Sequence, residues 1–373
     1  MDCSAPERDF FGEFAANVSS SPASAPASAS PVLSVIIINY NGAPWLERCL
    51  DSLRRQTIYP QLEIIVADNA SADQSGLLAA KIMRGWPDTR VEQYTTNFGY
   101  SEGNNRAAEN ARGRYLFFLN NDTWLETDCL ERLLAAMTAR GAVAAAPLVT
   151  DYTDDELQSA GIAGFDMFGF TSSQSDCSAQ REIFMAGGCS LLIEAEMFRR
   201  LGGFDSQFFM YADEYDLCWR VWAVGGRVIL EPAARVHHRG SPSVNPLGAE
   251  QQLENRTSDS KRFYANRNGL LVLLKNCQHI LLFLVPLQLL VLAGEALLMG
   301  LVAHRWRHVR NAYGGALLDC WRLRRHIRAE RRRLGTLRKH GDWWMLRFLR
   351  GRMNRWDEFQ RWRRFGIPKV DAR

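Results

Sequence analysis

The sequence lacks several devices that would mark other kinds of protein. Its eight cysteines fall in no CxxC or zinc-finger spacing, so neither a zinc module nor a disulfide framework is indicated. Several stand among apolar residues, as Cys189 and Cys218 do, and read as buried free thiols suited to a reducing cytoplasm. The opening MDCSAPERDFFGEF holds no apolar run and does not read as a secretory signal. No Gly-x-Gly-x-x-Gly follows the first apolar run, which argues against dinucleotide binding, and there is no Walker lysine loop. No internal repeat is visible.

What is present is globular in composition, with 47% apolar residues in 373. That length allows one large domain or two ordinary ones. The net charge of +4 conceals an asymmetry: from His304 onward there are 21 Lys and Arg against 6 Asp and Glu. A basic tail on an acidic body implies a polyanionic surface as partner. The tail carries no zinc, helix-turn-helix or RNA-binding motif, so anionic lipid is favoured over nucleic acid.

Residues 17–31, NVSSSPASAPASASP, predict a disordered linker covering 1–31. Order begins with VLSVIIINYNG, whose apolar run predicts a strand buried on both faces. APWLERCLDSLRRQ follows with apolar residues at Trp45, Leu46, Cys49, Leu50 and Leu53, a helical period. LEIIVADNASAD, VEQYTTN and YLFFLNNDT predict further strands, alternating with helical stretches. Four strand–helix alternations over 32–123 predict a mostly parallel α/β sheet flanked by helices. Residues 150–182 carry little signal. FYANRNGLLVLLKNCQ predicts a helix, and the apolar run 280–303 another, ~36 Å long and able to cross a bilayer or lie on it. Gln288 and Glu295 stand seven residues apart in that run and so share a face.

In a parallel sheet the C-terminal strand ends lie together, where α/β folds bind ligands. Those ends here carry Asn39 and Asn41, Asp68, Asn97, and Asn120 with Asp122. With no phosphate-binding glycine loop after the first strand, a nucleotide site requires another neutralising device, such as a cation held by carboxylates.

These pieces resemble, in order, the motifs of family 2 glycosyltransferases of the GT-A fold, particularly the rhamnosyltransferase-like branch. VLSVIIINYNG resembles the opening strand and nucleotide loop, IIVADNASAD the second strand, and NFGYSEGNNRAAENARGRYLFFLNNDT the sugar-side segment with the metal strand. GGCSLLIEAEMFRRLGGFDSQFFMYADEYDLCWRVWAVGGRV resembles the acceptor side, and VHHRGSPS a late His motif. The resemblance spans Val32 to Asn268 and implies a GT-A domain over 32–268, with a helical, membrane-associating region over 269–373.

The resemblance implies an inverting, Mg²⁺- or Mn²⁺-dependent transfer of a sugar from a nucleotide-sugar to a glycan at the cytoplasmic face of a membrane, with the membrane surface and no nucleic acid as partner. Its branch implies a deoxysugar donor such as dTDP-rhamnose and a lipid-linked acceptor. A hexose, galactofuranose or N-acetylhexosamine donor, or a non-catalytic glycan- or nucleotide-binding module, are the competing readings. Asp122 takes the metal position, with Asn120, where many members have a first Asp, as a ribose or water-mediated contact. His237 or His238 is a further ligand, His237 being favoured. Asn39, Asn41 and Asp68 hold the nucleotide, and Asn97, Gly99 and Asn104 shape the sugar side. The family's Glu-Asp pair appears here reversed, as Asp213-Glu214; position makes Glu214 the base, with Asp213 the alternative. Asp216 follows as a further binding residue or a helix-terminal acid.

Overall fold

The computed structural model describes residues 30–173, 176–240, 256–351, 363 and 369–371. The expected linker 1–31 therefore lies almost wholly outside the described residues.

Strand β1 (Leu33–Asn39) is buried almost throughout. Helix α1 (Ala43–Arg54) lays Leu46, Cys49, Leu50 and Leu53 inward. Trp45, though in the same period, turns to the cleft described below. β2 (Leu62–Asp68), α2 (Ser75–Ile82), β3 (Thr89–Gln93), α3 (Gly99–Glu109) and β4 (Tyr115–Asn120) complete the alternation. β5 (Thr123–Leu125), α4 (Cys129–Arg140) and β6 (Ala144–Asp151) follow. Residues 152–189 form short strands β7 (Leu157–Ser159), β8 (Ile162–Phe165), β9 (Thr171–Ser173) and β10 (Arg181–Glu182). β11 (Ser190–Glu194), α5 (Ala195–Arg200), α6 (Asp213–Ala223) and β12 (Val228–His238) close the sheet, whose order is β10-β12-β6-β11-β4-β1-β2-β3.

The half built from β3, β2, β1 and β4 is parallel, as expected. The other half is mixed: β11 runs antiparallel to both β4 and β6, while β12 and β6 are parallel. Among the described residues no crossover helix joins β6 to β11. The chain passes through the short strands of 152–189 and enters β11 at the end of the sheet where β6 finishes, which makes the pairing antiparallel. The alternation of side chains along β1 serves two cores, Ile36 on one face and Leu33, Val35 and Ile37 on the other.

The expected domain boundary after Asn268 falls inside helix α7 (Asp259–Asn276). From Pro31 onward the described residues form one compact unit. The C-terminal segments share the larger core: Leu284, Leu292, Ala312, Cys320, Met345 and Phe348 pack with Phe165, Phe184 and Trp222. The apolar run is helical over Leu281–Val302, with α8 (Leu284–Leu297) as its regular part and a π-turn at its end. Helices α9 (Gly315–Arg322) and α10 (Arg324–Leu337) follow it. All seven described cysteines are free, and all but Cys177 are buried.

Candidate functional site

Register brings the first polar groups together. β1–β2 pairing sets Asn39 opposite Asp68, and β1–β4 pairing sets Ile38 opposite Asn120. Asn39 and Asp68 stand behind the surface. The Asn39 amide donates to Asp68 Oδ1 and Ser75 Oγ, both at 2.7 Å, and its carbonyl accepts from Asn121 at 2.7 Å. Ser71 Oγ donates to Asp68 at 2.6 Å. This buried lattice sets the loops, and their neighbours reach the ligand space. A cleft of about 410 Å³ is lined by Asn41, Asn69, Asn97, Gly99, Asn120, Asp122 and His238. Asn39 and Asp68, expected as nucleotide contacts, do not line this cleft and are bonded into the lattice beside it. Asn104 is likewise buried outside the cleft, its amide donating to the Tyr100 carbonyl at 2.9 Å.

Gly99 needs to be glycine on two counts. Its φ is +77°, and an added Cβ would collide with the Phe209 carbonyl. The Asn97 side chain caps this turn, accepting from the Gly99 N–H at 2.8 Å and from the Asn69 amide at 2.9 Å.

Asp122 stands at the end of β4 with its carboxylate 3.5 Å from His238 Nε2. His237 is not there. Adjacent residues on a strand face opposite ways, and β12 pairs His238 with Thr123 beside the cleft. His237 stacks on Trp124 at 3.6 Å, with its Nδ1 3.0 Å from Thr150 Oγ1 and its Nε2 3.6 Å from Glu126. The strand alternation was the signal that separates the two histidines. Ser241–Ser243 of the late motif lie outside the described residues.

A second cavity of about 510 Å³ holds Asp213 and Glu214. It abuts the first, and Tyr100, Asn120, Met210 and Tyr211 line both. The shared wall is strained: Phe209, Tyr211 and Ala212 adopt left-handed backbone with φ of 64°, 69° and 63°. Such residues cost about 1–3 kcal/mol each and persist where surroundings hold them. Asn268 on α7 holds them, its amide donating to the carbonyls of Phe208, Met210 and Tyr211 at 3.0, 2.7 and 2.8 Å. Sequence reasoning treated Asn268 only as a boundary; α7 also carries Asn266 and Asn276, and no local pattern singles out the one that holds this loop.

Both acids are buried. Burial raises the Glu214 carboxyl well above the usual carboxylate range, and the adjacent Asp213 charge raises it further. The Tyr100 hydroxyl bonds Glu214 and opposes the rise. Burial also raises Asp213, against a hydrogen bond donated by Ser101 Oγ.

Asp216 does not join them. Two residues along α6 it turns inward, pairing with Arg220 at 2.8 Å and Lys275 at 2.9 Å and accepting from Asn276 at 2.8 Å. Lys275 also pairs with Asp205, which His326 contacts at 2.8 Å. Burial alone would raise both carboxyls. The Arg220 and Lys275 charges override it at Asp216, as the His326 bond and Lys275 do at Asp205, so both lie below the usual range. Their stabilisation is present above the ordinary carboxylate pKa and lost as pH falls through the lowered values. Lys275→Met leaves two buried carboxylates short of a partner and should cost about 3–5 kcal/mol by urea unfolding at neutral pH. A loss under 1 kcal/mol would contradict this structural role.

Among the described residues no group of three His, Cys, Asp or Glu side chains is arranged to hold a metal. The donor set in the cleft is Asp122 and His238. A carboxylate oxygen and an imidazole nitrogen fit a divalent cation that takes its other ligands from a bound diphosphate and water.

A mixed sheet flanked by helices, with polar strand ends over a cleft and two acids in an adjoining cavity, is the GT-A arrangement. Residues 34–202 match the family model described as Glycosyl transferase family 2. The matched segment ends before Asp213 and His238. The chain is 27% identical over 239 residues to the O-antigen biosynthesis protein RfbC of Myxococcus xanthus, covering 58% of this chain and 18% of that protein. It is 28% identical over 243 residues to the N-acetylglucosaminyl-diphospho-decaprenol L-rhamnosyltransferase of Mycobacterium tuberculosis, covering 57% and 78%. The chain spans only 18% to 30% of the length of the first curated relatives it matches. Among solved structures, GalNAc-T7 with UDP, GalNAc and Mn²⁺ aligns with a TM-score of 0.54 at 17% identity, over 68% of this chain and 49% of that one. That likeness concerns the fold.

Proposed function

We propose that the chain is an inverting, divalent-metal-dependent glycosyltransferase that moves a sugar from a nucleotide diphosphate to a hydroxyl of a lipid-linked glycan at the cytoplasmic face of a membrane. One observation carries the reading: Asp122 and the Asp213–Glu214 pair open into two abutting cavities with a common wall. A donor in one and an acceptor in the other would meet at Tyr100 and Asn120.

In the donor cleft, Asn41, Asn69 and Asn97 offer amides and carbonyls to the nucleotide and sugar. Asp122 and His238 would hold the cation. When bound, it supplies the Lewis acidity that stabilises the departing diphosphate. Glu214 takes the proton of the acceptor hydroxyl as that oxygen attacks the anomeric carbon. Burial favours the neutral acid after transfer and makes the carboxylate a stronger base before it. Tyr100 orients Glu214 by its hydroxyl. The M. tuberculosis relative's name supports a rhamnosyl donor and a polyprenyl-diphosphate-linked acceptor.

Calorimetry with a panel of nucleotide sugars, with and without Mg²⁺ or Mn²⁺, tests the donor site. Metal-dependent binding of one donor is expected; a folded protein that binds none would leave a non-catalytic module. The same titration separates the histidines. His238→Ala should weaken metal-dependent donor binding about 10-fold or more, the scale for losing groups around a metal. His237→Ala should lower the melting temperature while leaving donor affinity near normal. The reverse pattern would return the ligand role to His237.

A further inference from the structure

The helix Leu281–Val302 is apolar nearly all round, and its two faces meet different surroundings. Leu284, Gln288, Leu292 and Met299 are buried against the protein. Gln288 lies over Gly269 of α7. Glu295 stands 3.6 Å from Arg262 and accepts from the Tyr313 hydroxyl at 3.4 Å. The polar stripe read from the sequence thus packs on the transferase body. On the opposite face, Phe283, Leu290, Leu297, Leu301 and Val302 are between 56% and 69% exposed. Phe283, Leu290, Leu297 and Leu301 follow one another at seven, seven and four residues and so share one side of the helix, with Val302 next to Leu301.

The chain then turns at His304, and the exposed apolar surface continues with Trp306, Leu317, Leu318 and Trp321. Basic residues accompany it: Arg305, Arg307, Arg310, Arg322, Arg325 and Arg328 are all exposed. Arg324 lies over the Trp321 ring at 4.1 Å. Exposed leucines with tryptophans and arginines suit the boundary between acyl chains and anionic headgroups.

We propose that this surface docks in the plane of an anionic bilayer, and that Leu281–Val302 does not cross it. A crossing helix would need lipid or other spanning helices on every side. This one has a face fixed to a helix, α7, that also carries Asn268 of the strained site loop. Embedding by one face keeps Gln288, Glu295 and Arg262 out of hydrocarbon. The charge around the patch selects anionic lipid over a second copy of the same basic surface, which would repel it.

The proposal deepens the membrane element of the reading above. Its test reads no turnover, so its failure would leave the transferase assignment standing. Full-length protein should float with vesicles containing phosphatidylglycerol and much less with phosphatidylcholine alone. Leu290→Glu with Leu297→Glu should reduce flotation at least ~10-fold, given the apolar area withdrawn from lipid, with an unchanged melting temperature and donor affinity. Single cysteines at Phe283, Leu290, Leu297 and Val302, labelled with an environment-sensitive dye and read against depth-graded quenchers, should report one shallow depth. Overturning results are a depth maximum near Leu290 with shallow ends, which means a span; equal binding to both vesicle types; or concentration-dependent self-association of a protein that ignores vesicles.

Discussion

Asp122→Ala should abolish sugar transfer and remove the metal dependence of nucleotide binding, while the protein stays folded. Asp122 is the carboxylate that the β4 strand end delivers to the cleft, facing His238. The neighbouring polar groups at this rim are neutral amides from Asn41, Asn69, Asn97 and Asn120. None of them can compensate the charge of a cation bridging a diphosphate. A loss of one charged oxygen donor should therefore be felt in donor affinity as well as rate, and added metal should no longer improve binding. Turnover within a few-fold of wild type would remove the metal assignment, whatever the fold.

The second large effect concerns the base. Glu214→Gln keeps the size of the side chain and removes its ability to accept a proton. It should leave donor binding intact and lower kcat at least ~100-fold, the scale of a lost general base. The pH profile gives an independent check. Burial, with the Asp213 charge, raises the Glu214 carboxyl, so the carboxylate fraction grows with pH across a range above that of an ordinary glutamate. Wild-type kcat/KM should climb through that range, and the climb should vanish in Glu214→Gln. Asp213→Asn removes a neighbouring negative charge and should move the climb to lower pH. If Asp213→Asn is the crippling change and Glu214→Gln is mild, the base is Asp213, and the reversed order of the pair has moved the role by one residue.

The parts of this arrangement that could be read in advance are those set by local pattern. The apolar runs ending in Asn39, Asp68 and Asn120 predicted strands, and parallel register alone aligned their ends. Asp122 and the Asp213–Glu214 pair were legible for the same reason, one at a strand end and one at a helix start. Roles that depend on side-chain direction were harder. His237 and His238 differ by one strand position and so by a whole face. Asn39 and Asp68 stand at the right end of the sheet, but they bond to each other and to the loops rather than opening into the cleft. Asp216 shares a helix with the acids and turns to Lys275, whose position 59 residues later no local pattern could supply.

Long-range packing accounts for the remainder. The boundary drawn after Asn268 followed the end of the family resemblance, but α7 runs through it and places one face of the later apolar helix on the body. Gln288 and Glu295 marked one face of that helix in the sequence, but only the packing shows that this face meets Gly269, Arg262 and Tyr313 of the body. The antiparallel β11 was also hidden, because a short apolar strand reads the same in either direction.

The account is tested most directly by a transfer assay on purified protein with Mg²⁺, a panel of nucleotide sugars including dTDP-rhamnose, and N-acetylglucosaminyl-diphospho-polyprenol as acceptor. The predicted result is release of nucleoside diphosphate matched one to one by a glycosylated lipid of inverted anomeric configuration, lost in Asp122→Ala and Glu214→Gln. Product of retained configuration, or transfer that survives both substitutions, would contradict it.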